Sequence, residues 1–440
     1  MVEPLKVGIA GLGTVGAEVV RLIELQSKNL AARCGRKIEV VAVTARSKGK
    51  KRGVDLSGIR WVKTPLDLAQ DPEIDCFVEL MGGVGDPALS AISAALAAGK
   101  SVVTANKALI AKHGMKLAAS AEKHGGALNY EAAVAGAIPI VKTLREGLAG
   151  TDINRVYGIL NGTCNYILTR MELEGLSFAD CLADAQRLGY AEADPSFDVD
   201  GHDTAQKLAI LASLAFGTKV AQSSVYVEGI SSITAEDLRA AQDLGYRVKL
   251  LGVASRTANG IEQRVHPTMV PRSSSIAQVM GVTNAVTIDG EGMSPITLVG
   301  PGAGGAATAS AVLADIADVA RSVRALPFAR PVASLEATTK APVEHHQGGY
   351  YIRMLVRDQP GTTAKIATRL AEQKISIESI VQRHPDGDAV TLGASRKAIP
   401  VPVILITHAT SEDAVGRALK AVQADKVISG RPQVIRIEKN

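Results

Sequence analysis

The 440 residues, 46% hydrophobic and 21% charged, allow about three folded domains and exclude extensive disorder. The net charge of +5 includes one dense basic run, at 46–52, which is too short and too poor in aromatic residues to predict nucleic-acid binding. The four cysteines form no C-x-x-C pair, strand-like sequence begins at Lys6, and the longest apolar stretch, 208–217, is too short for a bilayer. We therefore expect a cytoplasmic protein without structural zinc, membrane or nucleic-acid partners.

Strand-like and helical patterns alternate through the first 150 residues. Strands are predicted at 6–10, 37–45, 75–83 and 101–107, helices at 17–25 and 87–98, and the segment 126–139 closes the series. Such alternation is typical of a parallel sheet with crossover helices, an α/β fold.

The pattern changes after residue 150. Strands and helices alternate irregularly through 298, which predicts an α+β domain, and a glycine-rich turn with a long helix follows at 299–321. A connector with Pro and Gly precedes residue 350, where a second strand–helix alternation begins and continues to residue 440.

A glycine motif follows the first predicted strand. Gly11, Gly13 and Gly16, in "GLGTVG", have the spacing and the strand-to-helix context of a Rossmann dinucleotide-binding loop. Gly13, Thr14 and Val15 are expected to contact the cofactor at the helix N-terminus. The alternative is an ordinary tight turn between strand and helix.

The end of the second strand carries basic residues where an acidic residue would bind the ribose of NAD. Arg46 and Lys48 occupy this region, and cations there favour the additional phosphate of NADP(H). The interval from the glycine motif is longer than usual, which we attribute to an insertion near 27–36. An exposed basic loop remains the alternative, so NADP(H) is preferred and NAD(H) stays open.

A charged pair lies at the start of an apolar helix in "FDVDGHDTAQKLAIL". Asp203 and Lys207 are four residues apart, so they share a helix face. An isolated pair of this kind is usually a surface salt bridge. A lysine at the edge of an apolar helix could instead donate a proton in a reaction.

The chain resembles homoserine dehydrogenases over nearly its whole length. The stretches that carry the resemblance are "GLGTVG", "TANKALIA", "YEAAVAGAIPI", "LNGTCNYIL", "GYAEADPSFDVDGHDTAQKLAIL" and "GPGAGGAATASAV". The resemblance implies NAD(P)H-dependent reduction of L-aspartate 4-semialdehyde to L-homoserine, for threonine and methionine synthesis. It implies a Rossmann domain at 1–150 completed by 299–330, a substrate and dimerisation domain at 151–298, a linker at 331–349 and an ACT domain at 350–440.

The resemblance also implies functional residues. The two active-site lysines fall on Lys107 and Lys207, with Asp203 beside them, and substrate contacts fall on Glu192 and Asp198. Thr104, Lys107 and Gly302 are expected at the cofactor, although the glycine-rich turn around Gly302 could simply be a flexible helix entry. A monovalent cation, Na⁺ or K⁺, is expected at a mostly carbonyl site formed by Glu131, Val134, Gly136 and Ile138.

Two other functions stay open on the sequence alone. A sensor that only binds nucleotide would need no lysine proton donor, and both lysines and their acidic neighbours are retained. An NADP-dependent oxidoreductase for a different small aldehyde would share every motif.

The pattern of residues 350–440 predicts a regulatory domain. Their βαββαβ order, with D-x-P-G after the first strand, resembles the ACT domain, which binds small amino acids between paired copies. Asp358 and Gly361 are the expected ligand contacts, and L-threonine is the expected ligand of a homodimer or homotetramer. The alternative is a domain that only assists oligomerisation.

Overall fold

The first part of the chain forms a parallel sheet. The computed structural model describes residues 2–357, 359–382 and 400–438. The strands of the first sheet are β1 (Leu5–Ala10), β2 (Ile38–Thr44), β3 (Arg60–Trp61), β4 (Cys76–Glu79), β5 (Ser101–Thr104) and β6 (Leu128–Asn129). Their order is β3-β2-β1-β4-β5-β6, with every pair parallel. The direction of winding reverses between β1 and β4, where open sheets of this type bind ligands beyond the carboxyl ends of their strands.

Helices follow the strands of this sheet. They are α1 (Thr14–Leu25), α2 (Ser27–Cys34), α3 (Pro65–Gln70), α4 (Ala88–Ala97) and α5 (Lys107–His124). The first helix begins three residues before the prediction because Gly13, inside the glycine motif, is its N-cap. The predicted insertion near 27–36 forms α2, which explains the long interval to the second strand.

A mixed segment follows the parallel sheet. Its helices are α6 (Ile140–Lys142), α7 (Gly162–Glu174), α8 (Phe178–Arg187), α9 (Ser196–Val199), α10 (His202–Phe216) and α11 (Ala235–Asp243). Its strands are β7 (Ile153–Ile159), β8 (Tyr226–Val227), β9 (Tyr246–Thr257), β10 (Gly260–Pro271), β11 (Thr283–Gly290) and β12 (Ile296–Pro301). The order β12-β11-β7-β9-β10 is antiparallel throughout, and β8 adds to β10 in parallel.

Helix α10 connects the two sheets. Most of its side chains are buried, because one face packs on β9 and another contacts α5 of the first sheet. The helix α12 (Gly305–Ala320) then returns to the first sheet and packs against α1 and β5. These two contacts place the start of α10 beside the carboxyl ends of the parallel strands.

The C-terminal part has the predicted βαββαβ order. Its elements are β13 (Gln347–Arg357), α13 (Thr362–Glu372), β14 (Ile377–Gln382), β15 (Pro400–Thr407), β16 (Thr410–Ser411), α14 (Glu412–Ala424) and β17 (Ile428–Ile437). The sheet order is β17-β13-β15-β14. The strand β13 therefore begins within the predicted connector 331–349.

The C-terminal sheet is continuous with the second sheet. Strand β17 pairs in parallel with β10 through Thr268 opposite Arg436 and Met269 opposite Ile437. One face of the C-terminal sheet packs on α13 and α14, and side chains of its other face, including Tyr351 and Ile435, join the large core of the second domain. A fully buried side chain of this kind contributes about 1.5–3 kcal/mol, so the two parts are joined by packing as well as by strand pairing. No helix in the described ranges is long and apolar enough to cross a membrane.

Candidate active site

The glycine motif forms an open cradle at the end of β1. Gly11 has φ +102°, and a Cβ there would lie 2.5 Å from the Leu80 carbonyl oxygen. A Cβ on Gly16 would lie 2.0 Å from the Gly11 oxygen. A Cβ on Gly13, in contrast, would have no other atom within 4 Å. Gly11 and Gly16 thus permit close packing, and Gly13 leaves the N-terminus of α1 free for an anionic group. This arrangement fits the pyrophosphate of a dinucleotide.

A cavity of about 340 Å³ begins at this cradle. It is lined by Val15, Leu80, Met81, Gly82, Ala105, Asn106, Lys107, Ala132, Ala133, Val134, Lys207, Gly302, Ala303 and Thr308. The glycine-loop helix, the ends of β4 and β5, and α10 therefore surround one space. A dinucleotide at the cradle and a small substrate beside the two lysines would meet in it.

The two predicted lysines converge on one carboxylate. Lys207 Nζ donates to Asp203 Oδ2 and to the Leu160 carbonyl oxygen, each at 2.7 Å. Lys107 Nζ, at the start of α5, lies 3.1 Å from Asp203 Oδ1. The Lys207 side chain is 11% exposed and that of Lys107 is 35% exposed. The spacing in the sequence predicted that Asp203 and Lys207 pair within α10. The packing of α5 on α10 brings Lys107 to the same carboxylate.

The aspartates of the site have opposite pKa shifts. Burial by itself would raise the pKa of Asp203, but Lys207 and Lys107 outweigh it and lower the pKa to about 2. Burial, followed by the charge of Asp203, raises the pKa of Asp198. Asn161 joins the two carboxylates, because its amide donates to Asp198 Oδ1 at 2.8 Å and to Asp203 Oδ2 at 2.9 Å.

Asn161 was absent from the predicted site although it lies within "LNGTCNYIL". Its side-chain oxygen accepts from the Cys164 amide at 2.8 Å, so it also caps α7. An Asn before an apolar helix is a recognisable cap, but nothing local indicates that its amide faces two aspartates. Cys164 is fully buried, and burial raises the pKa of its thiol, as expected for a packed residue.

A second buried network shapes the wall around Lys107. Glu79, at the end of β4, accepts from the Met81 and Gly82 amides and from the Thr104 hydroxyl at 2.7, 2.9 and 2.6 Å. Asn106 caps α5 through the Leu109 amide and donates to the Gly83 carbonyl oxygen. The hydroxyl of Thr104, predicted at the cofactor, is used in this network and lies outside the cavity lining. Glu79 was missed, although a carboxylate within an apolar strand is a detectable signal.

Other predicted residues lie outside the cavity lining. Glu192 is exposed on the loop after α8, and its side chain forms no ion pair with another described residue. Arg46 and Lys48 are exposed and line neither cavity at the glycine loop.

A neighbouring basic cavity lies along the outer side of the glycine loop. It has a volume of about 370 Å³, and its lining includes Gly13, Thr14, Lys50, Lys51 and Arg52. Arg52 is fixed there, because its Nε donates to the Leu12 oxygen at 3.0 Å. The basic side chains of the run 46–52 that lie beside the glycine loop are therefore Lys50, Lys51 and Arg52, at its C-terminal end.

The predicted cation segment lies against the glycine-rich turn before α12. Glu131 is buried, and its two carboxylate oxygens accept from the Val141 and Lys142 amides, each at 2.8 Å. Gly136 has φ +56°, where a Cβ would lie 2.6 Å from Gly302. The carbonyl oxygens of Val134 and Gly136 accept no hydrogen bond from described residues. The carbonyl oxygens of the other two predicted ligands, Ile138 and Glu131, accept from the Ile140 and Val134 amides at 2.8 and 3.4 Å. Two of the four carbonyl oxygens therefore remain available to a hard monovalent cation.

The predicted regulatory contacts are partly described. Gly361 has φ +85°, is the N-cap of α13, and has open space where a side chain would project. Asp358 lies outside the described residues.

A dinucleotide cradle that opens onto two lysines sharing a buried carboxylate defines an NAD(P)-dependent oxidoreductase acting on a CH–OH group. Family models agree with this class: homoserine dehydrogenase matches residues 139–317, the NAD binding domain of homoserine dehydrogenase matches 11–131, and the ACT domain matches 350–425. The chain belongs to the homoserine dehydrogenase family.

Individual relatives extend over the whole chain. A homoserine dehydrogenase of Pseudomonas aeruginosa is 44% identical over 442 residues and covers 99% of each chain. A homoserine dehydrogenase structure from Thiobacillus denitrificans is 43% identical with a TM-score of 0.91, covering 99% of this chain and 98% of that one. A hyperthermophilic archaeal homoserine dehydrogenase in complex with NADPH is 28% identical with a TM-score of 0.63, covering 73% and 99%.

Proposed function

We propose that Lys107, Asp203 and Lys207 carry out the reduction of L-aspartate 4-semialdehyde to L-homoserine in this chain. The observation that carries this assignment is the shared carboxylate: Asp203 holds both ammonium groups at the wall of the cavity that begins at the glycine loop. A nicotinamide held by the cradle would supply the hydride. The aldehyde oxygen then gains negative charge and needs a proton, which is the work that lysines in this position perform.

The two lysines have different proposed roles. Lys207 uses two of its three N–H groups on Asp203 and Leu160, which leaves one for the substrate oxygen. We assign the proton transfer to Lys207. Lys107 is more exposed, and we assign to it the binding of substrate oxygen atoms. Asp203 keeps both ammonium groups in place.

The substrate ammonium is assigned to Asp198 and Glu192. Asp198 is fixed by Asn161 beside the lysines. Glu192 is exposed on the loop after α8, and its assignment to the ammonium rests on the family resemblance.

The test is NADPH oxidation with L-aspartate 4-semialdehyde and a panel of other small aldehydes. We expect the highest kcat/KM for aspartate semialdehyde. A higher kcat/KM for an aldehyde without an amino-acid group would contradict the substrate assignment, and absence of turnover would favour a nucleotide-binding sensor.

We propose that NADP(H) is preferred and that NAD(H) is also accepted. Lys50 and Lys51 line the basic cavity beside Gly13, and Arg46 and Lys48 add positive charge at the end of β2. A cluster of cations at this position suits the additional phosphate.

We propose that Na⁺ or K⁺ binds at Glu131, Val134, Gly136 and Ile138, mostly through carbonyl oxygens. The ion would hold the segment that lines the cavity through Ala132 to Val134. Thermal unfolding in NaCl, KCl and tetramethylammonium chloride tests this. Equal unfolding temperatures in all three salts would contradict it.

We propose that the C-terminal domain binds L-threonine near Asp358 and Gly361 and that the ligand inhibits the enzyme. Open space at the left-handed Gly361 and an N-terminus of α13 without a side-chain cap among the described residues support binding of a carboxylate. Asn tolerates a positive φ, so Gly361→Asn should fill this space and preserve the turn. Calorimetry should show threonine binding to the parent and not to the variant, and absence of binding to the parent would contradict regulation.

The remaining organisation is also proposed. The chain is a cytoplasmic homodimer or homotetramer, with a Rossmann domain at 1–150 and 299–330, a substrate and dimerisation domain at 151–298, and an ACT domain at 350–440. The linker at 331–349 includes the first three residues of β13. Light scattering of the purified chain tests the oligomeric state.

A further inference from the structure

Arg436 connects the C-terminal domain to the catalytic part of the chain. It lies on β17 and is 3% exposed. Its Nε donates to Glu412 Oε2 within its own domain, and its Nη1 donates to Glu228 Oε2 across the boundary, each at 2.8 Å. Its Nη2 lies 3.3 Å from Tyr226 Oη. The planar guanidinium can hold both carboxylates at once, which a lysine ammonium on a flexible stem does less well.

Glu228 begins a short segment that lies against α9. Its amide donates to the Val265 oxygen of β10 at 2.8 Å. At the next position, Gly229, a Cβ would lie 2.3 Å from the Val199 carbonyl oxygen. The Ile230 amide donates to the same oxygen at 2.9 Å. The segment 228–230 therefore contacts the end of α9 without intervening side chains.

Helix α9 leads directly to the catalytic aspartates. Asp198 lies on α9, and the Gly201 amide donates to the Asp198 carbonyl oxygen at 2.9 Å before α10 begins. Gly201 has φ +88°, and a Cβ there would lie 3.0 Å from Val265 and 3.2 Å from Val227. The β8–β10 pair therefore packs against the turn between Asp198 and Asp203.

We propose that Arg436 is a positioning residue for Asp198 and acts through Glu228 and the end of α9. By this route, a change in the C-terminal domain alters the affinity of the catalytic site for the substrate ammonium. The inference rests on the proposed role of Asp198 in substrate binding. It requires no particular ligand of the C-terminal domain.

The test compares two glutamates that pair with C-terminal arginines. Glu228→Gln removes the charge opposite Arg436, which keeps Glu412 as a partner. Glu236→Gln is the matched control, because Glu236 Oε2 lies 3.4 Å from Arg353 Nη1 across the same boundary, but on α11. We expect Glu228→Gln to raise the KM for aspartate semialdehyde roughly two- to thirtyfold, the range for a residue on a coupling route. The kcat and the KM for NADPH should stay unchanged, and the control should match the parent.

Equal KM changes in the two variants would overturn the proposal, because they would indicate general loosening of the boundary. So would an unchanged KM in Glu228→Gln. Hydrogen exchange measures the same contact without turnover: the amides of Ile230 and Gly201 should exchange faster in Glu228→Gln than in the parent or the control. A raised KM without faster exchange would also overturn it.

A second variant acts from the other end of the route. Arg436→Lys should also raise the KM for aspartate semialdehyde, because a lysine ammonium lacks the planar guanidinium that donates to Glu412 and Glu228 together. The double variant Glu228→Gln, Arg436→Lys should show no further rise, whereas multiplied effects would overturn a shared route. If the parent does not turn over aspartate semialdehyde, the proposed function fails, and the exchange comparison still tests the contact.

Discussion

The start of α10 and the middle of β9 each hold a buried lysine, and the two environments differ in the charge of the hydrogen-bond acceptors and in access to a cavity. As whole residues Lys207 and Lys249 are 8% and 1% exposed, and each donates to two oxygen atoms. One acceptor of Lys207 is the Asp203 carboxylate. The acceptors of Lys249 are the neutral Asn165 Oδ1 at 2.9 Å and the Val279 oxygen at 2.6 Å.

The consequence is a difference in electrostatic compensation and in access. Burial, and next the charge of Arg247, lowers the pKa of Lys249 to about 7. Lys249 lines none of the cavities described above, whereas Lys207 lines the one at the glycine loop. Burial of a lysine therefore does not identify a catalytic group. Lys207, to which we assign the proton transfer, has in addition a carboxylate partner and access to the cavity.

The largest expected effect is on turnover. Lys207→Ala should lower kcat by roughly two to four orders of magnitude, the range for loss of a general acid. NADPH binding should persist, because Lys207 lies on α10, away from the cradle. Stopped-flow NADPH oxidation measures the loss, and fluorescence titration measures binding.

The control is Lys249→Met, which should retain kcat within a few-fold of the parent. If Lys207→Ala also stays within tenfold with its fold intact, the Asp203–Lys207 pair is only a structural salt bridge.

The next effect concerns stability. Asp203→Asn leaves two lysines without their shared negative charge, and removal of one partner of a buried pair costs about 3 kcal/mol or more. Urea unfolding should show this decrease in the free energy of unfolding. Asp184→Asn is the control, because Asp184 pairs with arginines at the surface. Equal decreases in the free energy of unfolding for Asp203→Asn and Asp184→Asn would contradict the expectation that the buried pair contributes more than the surface pair.

The Lys249 environment predicts a dependence of stability on pH. Below pH 7 the ammonium is present in both folded and unfolded chains, and the cost of burying it applies in full. Between pH 7 and the ordinary pKa of 10.5 the folded chain binds fewer protons than the unfolded chain, so stability rises with pH. The parent should gain about 1.4 kcal/mol per pH unit relative to Lys249→Met in this window. Parallel pH profiles of the two proteins would contradict the shifted pKa.

The smallest effect concerns exposed basic residues. Lys50→Ala should raise the KM for NADPH roughly two- to fivefold, as expected for a solvent-screened ion pair, and leave NADH nearly unchanged. Arg46→Ala should act in the same direction. Steady-state kinetics with both cofactors distinguish the outcomes, and equal losses for NADPH and NADH would show that neither side chain contacts the additional phosphate.

Local patterns predicted much of the fold. The spacing of Gly11, Gly13 and Gly16, the Asp203–Lys207 interval and the βαββαβ order each depend on neighbours in sequence. The approach of Lys107 to Asp203 depends instead on how α5 packs against α10, which no local periodicity encodes. Tertiary packing also directs the Asn161 amide towards two aspartates. It likewise places Lys50, rather than the predicted Arg46, in the cavity beside the glycine loop.

The parallel pairing of β17 with β10 has a genetic consequence. A stop codon upstream of residue 428 would leave the Thr268–Met269 edge without the N–H and C=O groups that now pair with it, and exposed edges of this kind promote aggregation. The same truncation would remove Ile435 and Ile437 from the large core, to which Tyr351 also belongs. Alleles that abolish the proposed inhibition by threonine while preserving a soluble enzyme should therefore be missense changes, and nonsense alleles should be selected against.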